Sequence, residues 1–222
     1  MESLWNQVDE YFGGQLTPQD HALEEALATS AAAGLPAIAV TATQGKLLEL
    51  LARITGARRI LELGTLGGYS SIWMGRALPP DGDLVTVEID PAHAAVARRN
   101  IDRAGLSDRV RVVLGPASDI LATLATDGSE PFDLIFIDAD KPRIDAYFEA
   151  SLKLSRVGTV IVVDNVVRKG DVIDAASDDA SVRGVRRLVN LLSRESRVSS
   201  TAVQTVGSKG YDGFILALVM QP

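Results

Sequence analysis

The chain has 222 residues, of which 46% are hydrophobic and 23% charged, so it is long and apolar enough to form one well-packed domain. It has no cysteine, which excludes disulfides, zinc–thiolate sites and thiol catalysis. Its 29 acidic and 22 basic residues give a net charge of −7, which argues against nucleic acid as a partner because an acidic surface repels phosphates. The start of the chain lacks the basic-then-apolar plan of a signal peptide, and no apolar run is long enough to span a membrane, so a cytoplasmic protein is expected.

The first 56 residues carry three predicted helices. Apolar residues share one helical face over residues 3–12, and Gly13-Gly14 is expected to end that helix. Thr17-Pro18 predicts the cap and the first residue of a second helix, and a third helix is predicted over residues 43–56. Residues 1–56 are therefore interpreted as an N-terminal helical cap on the rest of the domain.

From residue 57 onward, short apolar segments alternate with helical stretches. The five segments span residues 60–63, 84–87, 110–114, 134–137 and 160–163. This pattern predicts a parallel sheet covered by helices on both faces. A polar loop over residues 168–179 and a helix near 181–194 precede two extended runs, 198–206 and 214–219, which predict an antiparallel hairpin at one sheet edge. The predicted fold class is thus α/β and Rossmann-like, with a seven-stranded, mostly parallel sheet over residues 57–222.

Residues 59–71, R-I-L-E-L-G-T-L-G-G-Y-S-S, predict a buried strand, a tight glycine turn and the start of a helix, as in nucleotide sites of α/β proteins. The spacing is not the dinucleotide fingerprint G-x-G-x-x-G, and Glu62 lies two residues before Gly64, where a carboxylate suits a cationic ligand better than a pyrophosphate. Glu88 ends the second strand, where an acid can bind ribose hydroxyls. Either acid alone is compatible with an ordinary solvated strand end, but together they favour S-adenosylmethionine, whose sulfonium is positive.

Three oxygen-bearing side chains follow the fourth and fifth strands. Asp138 ends the fourth strand, and Asp164 and Asn165 end the fifth. Adjacent parallel strands lie about 4.8 Å apart, so these residues are expected to converge. Two carboxylates and an amide suit Mg²⁺ or Ca²⁺ rather than zinc, although a strand-end Asp also commonly caps the next helix. Beside such an ion the pKa of Lys141 is expected to fall, which would make its amine a general base.

Together these motifs resemble the cation-dependent small-molecule O-methyltransferases, a family similar to caffeoyl-CoA and catechol O-methyltransferases. The resemblance runs from about Ala42 through Phe214 and is carried by T-Q-G-K-L-L, I-L-E-L-G-T-L-G-G-Y-S-S, V-E-I-D-P, F-I-D-A-D-K, V-V-D-N and the late D-G-F. It implies a single methyltransferase domain of the class I fold over residues 1–222. It also implies S-adenosylmethionine and a divalent cation, Mg²⁺, Ca²⁺ or another, as cofactors.

The same resemblance implies a role for each site residue. The metal ligands would be Asp138, Asp164 and Asn165, and the catalytic residues would be Lys141 and Asp138. The cofactor would contact Thr41, Glu62, Gly64, Tyr69, Ser70, Glu88, Ala117 and Asp138, with Ala117 at the adenine edge. The N-terminal helices would cover the pocket for a small hydroxylated acceptor and help to form a homodimer.

Three departures from the family pattern concern the acceptor. Ile144 replaces a usual tyrosine, Pro142 directly follows the lysine, and the late loop reads V-G-S-K-G-Y-D-G. Arg168 and Lys169 either attract an anionic acceptor or are simply solvated. The hypothesis is direct methyl transfer to a hydroxyl of a catechol-like or caffeoyl-type acceptor. The alternatives are a methyltransferase of a hydroxylated tRNA base, an NAD-type oxidoreductase and a non-catalytic cofactor-binding protein. His21 and His93 are expected to be solvated, since neither lies near a nucleophile motif.

Overall fold

A computed structural model describes residues 2–18 and 20–221. Seven strands form one sheet: β1 (Arg59–Leu63), β2 (Asp83–Glu88), β3 (Val110–Leu114), β4 (Phe132–Ile137), β5 (Ser155–Asp164), β6 (Val198–Gly207) and β7 (Gly210–Val219). The α-helices are α1 (Glu2–Leu16), α2 (His21–Ala32), α3 (Ala42–Ile54), α4 (Tyr69–Gly75), α5 (Pro91–Arg103), α6 (Ala117–Leu124), α7 (Ile144–Lys153) and α8 (Ala180–Leu192). Shorter 3₁₀ turns span Lys141–Arg143 and Arg168–Ile173.

The strand order in the sheet is β3-β2-β1-β4-β5-β7-β6. β1 to β5 pair in parallel, and β7 is antiparallel to both of its neighbours, β5 and β6. The predicted Rossmann-like fold with a C-terminal antiparallel hairpin is therefore confirmed. Among the described residues, no helix combines the length and the apolar character that a membrane crossing requires.

Two hydrophobic cores lie on the two faces of the sheet. Alternate residues of β1 show this division, since Leu61 and Leu63 face the core under α6, α7 and α8, whereas Ile60 faces the core under α2 to α5. β1 and β4 are buried almost throughout, because helices cover both faces of the sheet centre. A polar side chain on these strands is therefore removed from water unless it lies at the strand end.

The N-terminal helices differ from the prediction at two points. α1 continues through Gly13-Gly14 to Leu16, and the backbone and the hydroxyl of Thr17 both donate to the carbonyl of Gly13, at 3.1 and 3.0 Å. Thr17 is thus engaged at the end of α1 and does not cap α2. The cap of α2 is Asp20, whose carboxylate accepts the N–H of Leu23 at 3.1 Å.

Candidate active site

The strand register brings the predicted site residues to one edge of the sheet. Leu63 pairs with both Val87 and Ile137, and Ile137 pairs with Val163. The next residue of each strand, namely Gly64, Glu88, Asp138 and Asp164, therefore lies along the carboxyl edge, where ligands bind in open α/β sheets. Two cavities of about 650 Å³ and 720 Å³ open there. They share Ile38, Asn165 and Arg168 in their walls.

The glycine turn after β1 is shaped by close backbone approach. Gly64 has φ +99°, and a Cβ there would lie less than 3.0 Å from the carbonyl oxygen of Asp138. Gly68 has φ +83° and immediately precedes α4, so the turn enters the helix through a left-handed residue. Leu66, also left-handed at φ +50°, donates its N–H to Glu88 at 2.8 Å. The turn is therefore fixed by the neighbouring strands and forms the floor of the first cavity.

Glu62 lies beneath this turn and is fully buried. Burial raises the pKa of Glu62 to about 7, although the hydroxyls of Ser70 and Ser71, which donate to its two carboxylate oxygens, act in the opposite direction. The geometry does not favour the expected direct contact between Glu62 and a cofactor, because the Glu62 side chain does not line the first cavity. It holds the first turn of α4, including Ser70, which does line the cavity.

Glu88 lies on the wall of the first cavity, as expected from the end of β2. Its carboxylate accepts backbone N–H groups from Leu66 at 2.8 Å and from Ile89 and Asp90 at 2.9 Å. His93, expected to be solvated, also lines this cavity, with Nδ1 3.8 Å from Oε1 of Glu88. The position of His93 could have been predicted from the sequence, since a residue in the first turn of α5 lies directly above the end of β2.

Six of the eight predicted cofactor residues line the first cavity: Gly64, Tyr69, Ser70, Glu88, Ala117 and Asp138. Thr41 lines the second cavity instead, where its hydroxyl caps α3 by accepting the N–H of Gln44 at 3.2 Å. The first cavity is also lined by Pro36, Ile38, Ala39 and Val40. These residues were not predicted, because nothing in a short apolar loop between two helices distinguishes it from ordinary packing.

The two acids of the proposed metal set lie close to each other. Burial and then the charge of Asp138 raise the pKa of Asp164 to about 6. Asp164 accepts a hydrogen bond from Nε2 of Gln44 at 2.7 Å and another from the N–H of Asn165 at 2.8 Å. Asn165 has φ +54°, so the chain turns sharply after β5. Two mutually repelling carboxylates beside an amide oxygen fit a hard divalent cation. The proposed metal site depends on this combination of two carboxylates and one amide. The described residues contain no group of three or more His, Asp or Glu side chains placed to bind a metal ion.

Lys141 begins the 3₁₀ turn after β4 and is buried. Its Nζ donates to Oδ1 of Asp138 at 2.7 Å, and it lines the first cavity. Close packing of α8 holds this turn, since a Cβ at Gly184 would lie less than 3.0 Å from the carbonyl oxygen of Lys141. Ile144, one of the family departures, is fully buried in the core and lies in neither cavity wall. The expectation that this position meets the acceptor is therefore wrong for Ile144.

The second cavity is built from segments that are far apart in sequence. Asp9 of α1 accepts the N–H of Ser208 at 2.8 Å, and Nζ of Lys209 donates to the carbonyl of Ala39. These contacts join α1 and the loop before α3 to the turn between β6 and β7. Asp164 and Asn165 form the inner wall. The cavity therefore adjoins the two-acid set on the side opposite the glycine turn.

Comparison with known proteins identifies one family. A family model described as O-methyltransferase matches residues 16–219. The chain is 52% identical to a catechol O-methyltransferase of Niastella koreensis, over 97% of this chain and 98% of that protein. It is 53% identical to one of Mycobacterium tuberculosis, over 96% and 94% respectively.

Solved structures agree with this assignment. The chain resembles an O-methyltransferase from Bacillus cereus in complex with SAH, with 57% identity, coverage of 99% and 100%, and a TM-score of 0.97. It also resembles the O-methyltransferase TomG from Streptomyces achromogenes, which is involved in tomaymycin synthesis and is in complex with SAM, with 53% identity, coverage of 99% and 98%, and a TM-score of 0.96. The chain belongs to the O-methyltransferase family that its sequence motifs resemble.

Proposed function

We propose that this O-methyltransferase transfers a methyl group from S-adenosylmethionine to a hydroxyl of a small catechol-like or caffeoyl-type acceptor, with a divalent cation bound beside the reacting atoms. The observation that carries the proposal is the pair of cavities that share Asn165 and adjoin Asp138 and Asp164. The names of the relatives from Niastella koreensis and Mycobacterium tuberculosis support the acceptor class. The SAH and SAM complexes of the Bacillus cereus and Streptomyces achromogenes enzymes support the methyl donor.

The first cavity is the proposed cofactor site. When bound, S-adenosylmethionine supplies an electrophilic methyl group. Glu88 would accept a ribose hydroxyl, since a carboxylate offers about four acceptor positions and three of them are used by backbone N–H groups. Ser70, held by Glu62, and the backbone of the glycine turn would bind the amino acid end. Ala117 would contact the adenine.

The two-acid set is the proposed metal site. Asp138, Asp164 and Asn165 would hold Mg²⁺, Ca²⁺ or another divalent cation, which when bound lowers the pKa of an acceptor hydroxyl. Lys141 would accept the proton of the attacking hydroxyl, and Asp138 would hold its Nζ in position. Fixing the acceptor oxygen against the methyl group supplies much of the rate, since proximity and orientation are worth on the order of 7–11 kcal/mol.

A homodimer belongs to the same proposal. α1 exposes Leu4, Tyr11 and Leu16, which are 60%, 65% and 65% exposed, along one helix. Exposed apolar groups of this kind mark interaction sites. We expect a mass of two chains by light scattering, and a single chain after Tyr11→Glu and Leu16→Glu.

Methylation assays test the proposed reaction. A panel of catechols and caffeoyl esters is incubated with S-adenosylmethionine, with and without EDTA. We expect methylated product that disappears with EDTA and in Asp164→Ala, while Asp178→Ala, which removes a fully exposed acid, retains activity. Activity that survives both chelation and Asp164→Ala would overturn the metal-assisted scheme. Calorimetry that shows NAD binding without S-adenosylmethionine binding would overturn the methyl donor.

A further inference from the structure

Two cations on different segments line the second cavity together with Asp164 and Asn165. Arg168 lies on the 3₁₀ turn after β5, and Lys209 lies on the turn between β6 and β7. Asp212, on β7, fixes the first of these segments, because its Oδ1 accepts the N–H groups of Val167 and Arg168 at 3.0 and 3.1 Å. Both cations are thus presented to the cavity by backbone that the β7 hairpin stabilises.

Arg168 has unmet hydrogen-bonding capacity. Its Nε is enclosed and has no hydrogen-bond partner among the residues that the structure describes. A buried donor without a partner costs about 1–3 kcal/mol, which an anion bound at the guanidinium would offset. Its charge contributes to the lowered pKa of Asp179, behind the hydrogen bonds that Asp179 accepts from Ser181 and Val182. Arg168 also adopts φ +55°, an uncommon conformation for a residue other than glycine.

Lys209 has donors left over as well. Its ammonium has three N–H groups, one of which reaches the carbonyl of Ala39. The residue is exposed at the mouth of the cavity, yet burial of its ammonium end lowers the pKa of Lys209, against the opposing charges of Asp138 and Asp164. Because Ala39 lines the first cavity and Lys209 lines the second, their hydrogen bond places the ammonium at the border of the two cavities.

The acids of this cavity already have other partners. Asp9 accepts the N–H of Ser208, Asp212 accepts backbone N–H groups, and Asp164 belongs to the proposed metal set. A complementary anion would therefore have to come with the ligand.

We propose that the acceptor is a small catechol acid, whose carboxylate is bound by Arg168 and Lys209 while its two hydroxyls lie at the two-acid set. The proposal rests on the proposed function and narrows its acceptor. A cavity of about 720 Å³ is within the range of small-molecule sites, ~300–1,000 Å³. An aromatic acid fits inside it, whereas the nucleotide of a coenzyme A ester would extend beyond it.

Two acceptors of nearly the same size, one anionic and one neutral, test the proposal. Turnover of 3,4-dihydroxybenzoate and of 3,4-dihydroxybenzamide is measured for the wild type, Arg168→Gln, Lys209→Met and Lys169→Gln. Lys169 is the matched control, since it loses the same charge, follows Arg168 directly, has φ +58° and is exposed outside both cavity walls. We expect kcat/KM for the acid, divided by that for the amide, to fall at least about tenfold in each of the first two variants. In Lys169→Gln the ratio should stay within about twofold, as surface charges contribute little.

The two proposals fail differently in this experiment. A ratio that is unchanged in Arg168→Gln and Lys209→Met, with both acceptors still methylated, would overturn the carboxylate site and leave the proposed function standing. Methylation of neither acceptor by the wild type would count against the proposed function. Calorimetric titration of the same two compounds into the wild type and Lys209→Met measures their affinities directly. It therefore tests the proposed carboxylate site without turnover. A preference for the acid that is lost in the variant supports the site, and equal binding of the two compounds to the wild type overturns it.

Discussion

The acidic side chains in the two halves of the carboxyl edge have different surroundings. In the glycine-turn half, formed by β1 and β2, Glu62 accepts two hydroxyl hydrogen bonds and Glu88 accepts three backbone N–H groups. In the acid-pair half, formed by β4 and β5, Asp138 and Asp164 repel each other, and Arg168 nearby has an unpartnered Nε among the described residues. The acids of the glycine-turn half are held by protein donors alone, whereas the acid-pair half keeps two like charges close together, which a bound cation would offset. Substitutions at Glu62 and in the glycine turn should therefore change stability, and those beside Asp164 should change metal binding.

The largest effect is expected at Gly64, where the two halves touch. Gly64→Ala adds a Cβ less than 3.0 Å from the carbonyl of Asp138 at a residue with φ +99°. We expect the free energy of unfolding to fall by roughly 3–5 kcal/mol, since overpacking and left-handed strain add. Urea denaturation measures this loss.

Gly34→Ala is the matched control for Gly64→Ala. Gly34 has φ +75°, but nothing lies within 4 Å of an added Cβ. It should lose only about 1–2 kcal/mol from backbone strain. Equal losses in the two variants would mean that β1 and β4 can separate at this point, and that the close approach does not fix the turn.

The next effect is the pH dependence of stability caused by Glu62. Its pKa is raised from 4.5 to about 7 by burial, so the folded protein keeps a proton that the unfolded chain has already lost. The contribution of Glu62 to the stability of the wild type should be fully present below about pH 4.5. It should be lost as the pH rises through about 7. Glu62→Gln stays neutral at every pH. Between pH 5 and 7.5 its free energy of unfolding should therefore fall by roughly 2–3 kcal/mol less than that of the wild type. Urea midpoints across that range measure the difference.

Glu49 provides a control of opposite sign. It is also buried, and burial alone would raise its pKa, but hydrogen bonds from Lys46 and Arg53 bring the pKa below its ordinary value. Its contribution to stability should therefore be present at neutral pH and be lost as the pH falls below 4.5. The same pH slope in Glu62→Gln and the wild type would show that Glu62 is ionised in the folded protein.

Much of the glycine-turn half was predictable because its signals are local. Buried parallel strands are apolar runs, and the acid or glycine that ends each run marks the carboxyl edge. The burial of Glu62 was itself derivable, since a side chain inside a strand covered on both faces has no route to water. The inference that it touches the cofactor went beyond the pattern, which fixes the position of Glu62 in the strand but not the depth of the turn above it.

The second cavity was less predictable for a physical reason. Asp9, Gln44 and Lys209 line one cavity from three segments that are far apart in the chain, and no sequence periodicity connects such segments. The boundary between α1 and α2 was predicted wrongly because Thr17 and Asp20 are both favourable N-cap residues. Thr17 bonds back to Gly13 in α1, and Asp20 caps α2. Ile144 also shows that a departure from a family motif marks an acceptor contact only where the fold exposes that position.

A smaller effect is expected from Gln44, which supports the acid-pair half. Its Nε2 donates to Oδ2 of Asp164 at 2.7 Å, so it orients a proposed metal ligand without adding charge. Gln44→Leu should weaken Mg²⁺ binding by ~10–100-fold, the usual result of losing a partner that orients a ligand. Calorimetric titration of Mg²⁺ measures this without turnover, and Gln204→Leu, on the exposed face of β6, should leave the affinity unchanged. Unchanged affinity in Gln44→Leu would show that Asp164 needs no such support.

The smallest effect is expected at Tyr147, which connects α7 to the loop carrying Asp138 and Lys141. Its hydroxyl donates to Asp140, and burial followed by this bond raises the pKa of Tyr147 to about 12. Tyr147→Phe should lower the free energy of unfolding by only about 1 kcal/mol, because Asp140 is exposed and water replaces the lost donor. A loss above about 3 kcal/mol in Tyr147→Phe would mean that the loop depends on this bond, in which case the acid-pair half is stabilised by the protein to the same degree as the glycine turn.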